Sequence, residues 1–285
     1  QQYILKLGII FLGSRLSVDE LIKFGSIAIP LIIICIVGVL ILVKLLIKKV
    51  PISSKMSYLI AIGTSVCGAT AIVATAPVIN AKKSEVAYAI ANITLFGVIA
   101  MIVYPYFAEW YFDNDALKTG LFLGTSIHET SQVAAAGLIY DQQFNSPETL
   151  NVATVTKLIR NTFLVILIPL FAFLYNRGEL KGQRYSILSI FPYFVIGFIG
   201  MIVVRNIGDQ IFTTDNSYII WTTLIGYLKT LATVFLTMAM AAVGISINLS
   251  ELKSMGYKPF VVGLIAAITV GFISLIYIET LIKFV

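Results

Sequence analysis

Apolar residues run along this chain in long unbroken blocks, with polar and charged residues collected at their ends. Nine blocks can be marked, at 3–16, 26–48, 56–80, 86–108, 118–140, 152–175, 187–206, 218–247 and 258–284. Unbroken apolar runs of about 20 residues predict membrane-spanning helices, because a helix of that length matches the hydrocarbon core. The blocks lack the period-two alternation of a membrane β-barrel. Charge with Pro or Gly closes several of them, as at Lys48-Lys49-Val50-Pro51, Asn80-Ala81-Lys82-Lys83 and Asn176-Arg177-Gly178. The pattern predicts an all-α polytopic membrane protein with one transmembrane domain over 1–285.

Two blocks, 56–80 and 118–140, carry a polar stretch at their centres. Residues 63–74 read Gly-Thr-Ser-Val-Cys-Gly-Ala-Thr-Ala-Ile-Val-Ala, and residues 124–139 read Gly-Thr-Ser-Ile-His-Glu-Thr-Ser-Gln-Val-Ala-Ala-Ala-Gly-Leu-Ile. Both open on Gly-Thr-Ser and continue with small or hydroxyl residues, as one motif used twice. The second contains the only histidine of the chain. Gly63, Gly68, Gly124 and Gly137 are the expected helix breaks, since glycine tolerates the backbone such breaks need. Thr64-Ser65 and Thr125-Ser126 are then expected to cap the half-helices that follow.

A longer match pairs 12–25 with 243–256, where Gly13/Gly244, Glu20/Glu251, Leu21/Leu252 and Gly25/Gly256 coincide and each block leads into an apolar run. It predicts a repeated hairpin, 1–48 and 231–284, with convergence of two Gly-Leu-rich hairpins as the alternative. The loops at 44–55, 82–83, 177–184 and 253–258 are basic; those at 109–115, 141–148 and 209–215 are acidic. Nine full crossings would put basic loops on both sides of the membrane, against the positive-inside tendency. If 56–80 and 118–140 each enter and leave on one side, every strongly basic loop becomes cytoplasmic. The expected fold is an inverted-repeat transporter fold, with two broken or re-entrant helices meeting at mid-membrane. Fully crossing, unwound helices are the other possibility.

Composition narrows the function classes. The chain is 59% hydrophobic and 12% charged with net charge +6, and its basic residues sit at block ends. That fits cytoplasmic loops beside a lipid bilayer, and no nucleic-acid partner. The two cysteines, Cys35 and Cys67, suggest neither a disulfide framework nor a metal site, and no cofactor is expected. His128-Glu129-Thr130-Ser131-Gln132 lacks the second histidine of a zinc protease, and neither Gly-x-Ser-x-Gly nor a Walker motif occurs. A Cys67–His128 pair is the one nucleophile arrangement available, so the protein is expected not to be an enzyme. The chain opens at Gln1, already apolar by Tyr3, which reads as an internal start.

The motifs at 63–72 and 126–133, together with Ile-Thr-Leu-Phe-Gly at 93–97 and Tyr104-Pro105, resemble the YeiH-like conserved membrane proteins, a family provisionally classed as sulfate exporters. The resemblance covers nearly the whole chain. It implies a transporter, distantly similar to bile-acid-symporter and auxin-carrier-type proteins. It also implies about two further spans before Gln1, and sulfate or a sulfonate as substrate.

Residue chemistry supports the same direction. Hydroxyls of Thr64, Ser65, Thr70, Thr125, Ser126, Thr130 and Ser131, with Cys67 and Gln132, are candidates to line an anion site at half-helix N-termini. Ser and Thr in membranes also simply bond back to carbonyls or join helices. Lys157 and Arg160 lie three apart inside block 152–175 and are the candidate cations. Lys157 could equally snorkel to the interface, and either could neutralise Glu129. His128 and Glu129 are the candidates for proton coupling. Asn161 could complete the lining, with Asn92 and Thr94 as further positions. The expected function is a secondary transporter, exporter or exchanger, of a small anion. A passive anion channel and a membrane-embedded sensor or structural subunit are the alternatives. The Gly197/Gly200 pair suggests a homodimer.

Overall fold

A computed structural model describes residues 2–47, 50, 52–77, 79–164, 166–167, 170–171, 193–245 and 257–281. Among them are eleven α-helices: α1 Gln2–Leu12, α2 Val18–Ile47, α3 Ser54–Ser65, α4 Ala69–Thr75, α5 Lys83–Phe112, α6 Ala116–Ser126, α7 Thr130–Phe144, α8 Pro147–Thr162, α9 Tyr193–Ile211, α10 Asp215–Ile245 and α11 Tyr257–Leu281. A 3-10 turn, Gly13–Arg15, joins α1 to α2. Four of these helices, α2, α5, α10 and α11, are long and apolar enough to cross a bilayer. Their outward residues, such as Ile33, Ile41, Ile102 and Ile219, are exposed apolar side chains suited to lipid contact.

The two polar blocks are both interrupted, and both turn back. Ser53 caps α3 by accepting the Met56 N–H at 3.1 Å, and its hydroxyl donates to Glu85 at the start of α5 over 2.5 Å. Lys55 in the first turn of α3 reaches the carbonyl of Asn80, beyond α4, at 2.6 Å. The 54–80 segment therefore leaves at the end of the bundle where it entered. With 12 residues, α3 is about 18 Å long, too short to cross a hydrocarbon core of about 30 Å.

The second hairpin enters from the other end. Along α6, Gly120 faces Thr149 and Val152 of α8, and Gly124 faces Ala153 and Thr156, so α6 and α8 run in the same direction. Gly137 of α7 faces Leu150, while Thr130 at the start of α7 bonds Asn161 near the end of α8, so α7 runs back antiparallel to α8. Its outer end returns to the level where α5 finishes, with the Tyr140 hydroxyl donating to Glu109 at 2.5 Å. Gly124 has a packing role here: a β-carbon would lie 2.7 Å from the Ala153 carbonyl oxygen. Gly63, Gly124 and Gly137 all lie inside helices, so they are not break points as expected. They let helices approach closely. The breaks fall at 66–68 and 127–129 instead, where only Gly68, with φ +63°, uses glycine's conformational freedom.

The basic residues Lys55, Lys82 and Lys83 thus share one end of the bundle with Ser53 and Asn80, while Glu109, Asp115 and Asp141 mark the other. The flanking helices complete the fold. α11 runs parallel to α5, with Asn92 bonding the Pro259 carbonyl and Gly271 beside Tyr104. α1 packs against α9 and α10, with Phe11 stacked on Phe235. Gly197 is filled by Ile10 of the same chain, which explains that glycine without a second subunit. Residues 246–256 of the matched block, the loops 177–184 and most of 253–258, and the Asn176-Arg177-Gly178 break lie outside the described residues.

Two side chains of α8 join the hairpin tips. A helix leaves its last carbonyls without internal partners. In α3, the Ile62 and Gly63 carbonyls are taken by the N–H groups of Val66 and Gly68. The remaining two, Thr64 and Ser65, accept from the Arg160 guanidinium, through Nη2 and through Nε at 2.8 Å. Arg160 Nη1 donates to the Thr125 carbonyl in α6. Lys157 Nζ donates to the carbonyls of Val66 at 2.8 Å, Ile127 at 2.9 Å and His128 at 2.5 Å. Both cations are fully buried, so neither snorkels. They sit where two C-terminal helix dipoles converge, which is where positive charge is most stabilising.

Removing either cation strands buried carbonyls on both tips. Arg160→Met and Lys157→Met are each expected to cost about 3–5 kcal/mol, the range for breaking a buried charged network. Thermal unfolding of purified protein in detergent should show both midpoints well below that of wild type, with the exposed-lysine control Lys44→Met unchanged.

Candidate functional site

The tips create a small polar interior inside an otherwise apolar bundle. Thr64 and Ser65 are the last residues of α3, and Thr125 and Ser126 the last of α6. They do not cap the following half-helices as the sequence suggested. Each break comes after the Thr-Ser pair, so the pair's carbonyls, rather than its hydroxyls, are the groups engaged by the cations. The N-cap residues are Gly68 for α4 and Glu129 for α7.

The Thr125 hydroxyl donates back to the Leu121 carbonyl and lies 2.7 Å from the Ser274 hydroxyl of α11. Ser274 gave little signal in sequence, being a single hydroxyl in an apolar run. Several other polar atoms at the tips are buried without a protein partner: the hydroxyls of Thr64, Ser65, Ser126 and Thr156, His128 Nδ1 and Asn161 Oδ1. Buried polar groups are rarely left unmatched, so such a concentration marks a place for water or a ligand. Thr156, whose one signal in the sequence is its place beside Lys157, faces Gly124.

Glu129 lies on the opposite polarity of the junction. Its carboxylate accepts the Thr94 hydroxyl at 2.9 Å and the backbone N–H of Ala69, the first residue of α4. Gln132 braces it, taking the Glu129 N–H at 3.2 Å and donating to the Thr94 carbonyl at 3.2 Å. Gly68 is required beneath it, since a β-carbon there would sit 2.6 Å from Glu129 Cγ. The carbonyl ends of the broken helices therefore meet Lys157 and Arg160, and the N–H ends meet Glu129.

The remaining candidates are spread by exposure. Cys67 is buried in the first turn and accepts the Ala71 N–H. His128 and Ser131 are buried, Glu129 and Thr130 are half-buried, and Thr70 is exposed on the outer face of α4. Asn161 ties Thr130 to α8 at 3.0 Å. Asn92 lies apart from the tips, between α5 and α11.

Comparison with known proteins agrees with this architecture. The family model described as Conserved hypothetical protein 698 matches residues 1–263. A UPF0324 membrane protein of Fusobacterium nucleatum is 34% identical over 279 residues, covering 95% of this chain and 80% of its own. One from Streptococcus agalactiae is 34% identical over 262 residues, covering 92% and 76%. The UPF0324 inner membrane protein YeiH of Escherichia coli K12 is 31% identical over 272 residues, covering 93% and 72%. No solved structure matches the chain. With a family model over most of its length, relatives named as inner membrane proteins and several helices suited to crossing a bilayer, the chain is a multi-pass membrane protein that belongs to the UPF0324, YeiH-like family.

Proposed function

We propose that this protein is a secondary transporter of a small anion. The observation that carries the reading is the junction of two hairpins that enter from opposite ends and meet at a buried charged centre. A bilayer tolerates non-helical backbone only where protein encloses it or water reaches it. Broken helices that place free backbone groups at mid-depth are a recurrent way to build a transport site. Two hairpins of opposite entry also give each end of the bundle its own route to one centre, which is what alternating access needs. By the positive-inside tendency, the basic end faces the cytoplasm.

The sign of the substrate follows from the charges. Lys157 and Arg160 carry two positive charges at the junction and Glu129 one negative charge. The two carbonyl ends and two N–H ends contribute about half a charge each, of opposite sign, and cancel. A net positive centre favours an anion. Lys157 has all three protons on carbonyls and acts through its field, while Arg160 keeps two of its five N–H groups. The unpartnered hydroxyls of Thr64, Ser65, Ser126 and Thr156 supply neutral donors. Sulfate is the first substrate to test, and His128 and Glu129 are the groups to couple its movement to protons.

In proteoliposomes, labelled sulfate is expected to accumulate by exchange against unlabelled sulfate inside, with a rate altered by an imposed pH gradient. His128→Ala should weaken the response to the gradient more than it slows exchange. Sulfate flux without trans-stimulation would instead make the protein a passive channel.

Passage also requires the second tip to part from its neighbours. The Thr125 and Ser274 hydroxyls are 2.7 Å apart, so cysteine sulfurs at these two positions would face each other. Thr125→Cys with Ser274→Cys, in a background lacking Cys35 and Cys67, is expected to lose at least about nine-tenths of exchange on oxidation and to recover it on reduction. Full exchange in the cross-linked protein would sink the moving-tip mechanism.

A further inference from the structure

Glu129 holds its place by the interactions an anionic substrate would use. The Thr94 hydroxyl of α5 donates to its Oε1 at 2.9 Å, and the backbone of Ala69 in α4 lies beside the carboxylate. It faces Lys157 of α8 and the Cys67 thiol of the 66–68 turn, with Arg160 one turn beyond Lys157 and His128 preceding it in the chain. Yet it is not locked in. Glu129 lies in the 127–129 break with extended backbone, φ −103° and ψ 147°, and is half-buried while His128, Ser131 and Gln132 around it are buried. Its neighbour Thr130 is also half-buried, so residues 129–130 stand at the edge of the junction. Close by are polar atoms with no protein partner: His128 Nδ1 in the same break, and Asn161 Oδ1 on the side chain that bonds Thr130. Asn161 is 2% and His128 1% exposed.

We infer that Glu129 is a tethered competitor for the substrate, which is a small oxyanion. Its carboxylate occupies the place that the substrate takes during transport, and each entering oxyanion displaces it. The inference rests on the anion-transport reading above. Two donors approaching from separate elements match an ion with at least two acceptor oxygens better than a spherical halide. Parted from those donors, the side chain leaves as the acid, taking up one proton for each anion bound. For a monovalent oxyanion the occupied junction then regains the charge it had with Glu129 ionised. Anion and proton therefore enter the site together, and deprotonated Glu129 returns when the anion leaves.

The test measures binding of sulfate and of acetate to the purified full chain in detergent, at pH 5.5 and 7.5, with chloride at matched ionic strength as the comparison. Wild type is expected to bind at least one of the two oxyanions about tenfold more tightly for each unit of pH lowered, the slope of a single linked proton. Glu129→Gln, which presents no anion, should bind that oxyanion at least about tenfold more tightly than wild type at pH 7.5, with its pH dependence reduced to the part that His128 supplies. Glu129→Asp, one methylene short of the donors, should also bind more tightly than wild type while keeping pH dependence; it decides the matter if Glu129→Gln does not fold. Oxyanion binding with the same pH dependence in wild type and Glu129→Gln overturns the competition and leaves the anion transporter standing. Chloride binding as tight as that of the oxyanions overturns the substrate class. Failure of every anion to bind any variant at either pH removes the anion-transport reading and this inference with it.

Discussion

Everything at the centre of this protein depends on backbone carbonyls finding donors for their negative ends. α3 and α6 stop halfway through the bundle, and their terminal carbonyls face an apolar interior rather than water. Leaving them unmatched would cost on the order of 1–3 kcal/mol each. One turn of α8 resolves this, with Lys157 and Arg160 three residues apart and pointing at the same junction. The arrangement works in both directions. The carbonyls make two buried cations affordable, and the cations make two interrupted helices stable.

The same logic, with the sign reversed, explains Glu129. Where α4 and α7 begin, free N–H groups and positive dipole ends meet, and a carboxylate is the side chain that suits them. Polarity is thereby sorted across the junction, with carbonyl ends against cations and N–H ends against the carboxylate. The three charges need not form direct ion pairs. Each is matched chiefly by backbone and hydroxyl groups, as the Lys157 and Arg160 contacts to carbonyls show. A group held by hydrogen bonds to neutral partners can exchange them for another ion's more readily than one locked in a buried salt bridge.

Small residues make the geometry possible. Gly124 brings α6 against the backbone of α8, and Gly137 brings α7 against Leu150 on the same helix. α8 thus touches both arms of the second hairpin while its cations reach across to the first. The long helices α2, α5 and α11 surround this assembly and present their apolar outer faces to lipid. Burying the polar junction is their contribution to the site.

Much of this was legible in the chain. Apolar run length alone determines an all-helical membrane protein, because a bilayer leaves few ways to satisfy a backbone. The doubled Gly-Thr-Ser motif located both interrupted helices, and the distribution of loop charges favoured hairpins that return to their own side. Lys157, Arg160, His128 and Glu129 were recognisable because ionisable residues inside an apolar block are costly to keep. Their partners were not recognisable. Nothing in the sequence says whether a break falls before or after Thr-Ser, and that one-turn difference decides whether hydroxyls or carbonyls face the cations. Nor does it say that Gly63, Gly124 and Gly137 serve packing while Gly68 alone turns the chain. Those outcomes depend on which atoms are brought together from residues far apart in the chain, as with Arg160 and Thr64. Such contacts exist only once α8 lies between the two tips.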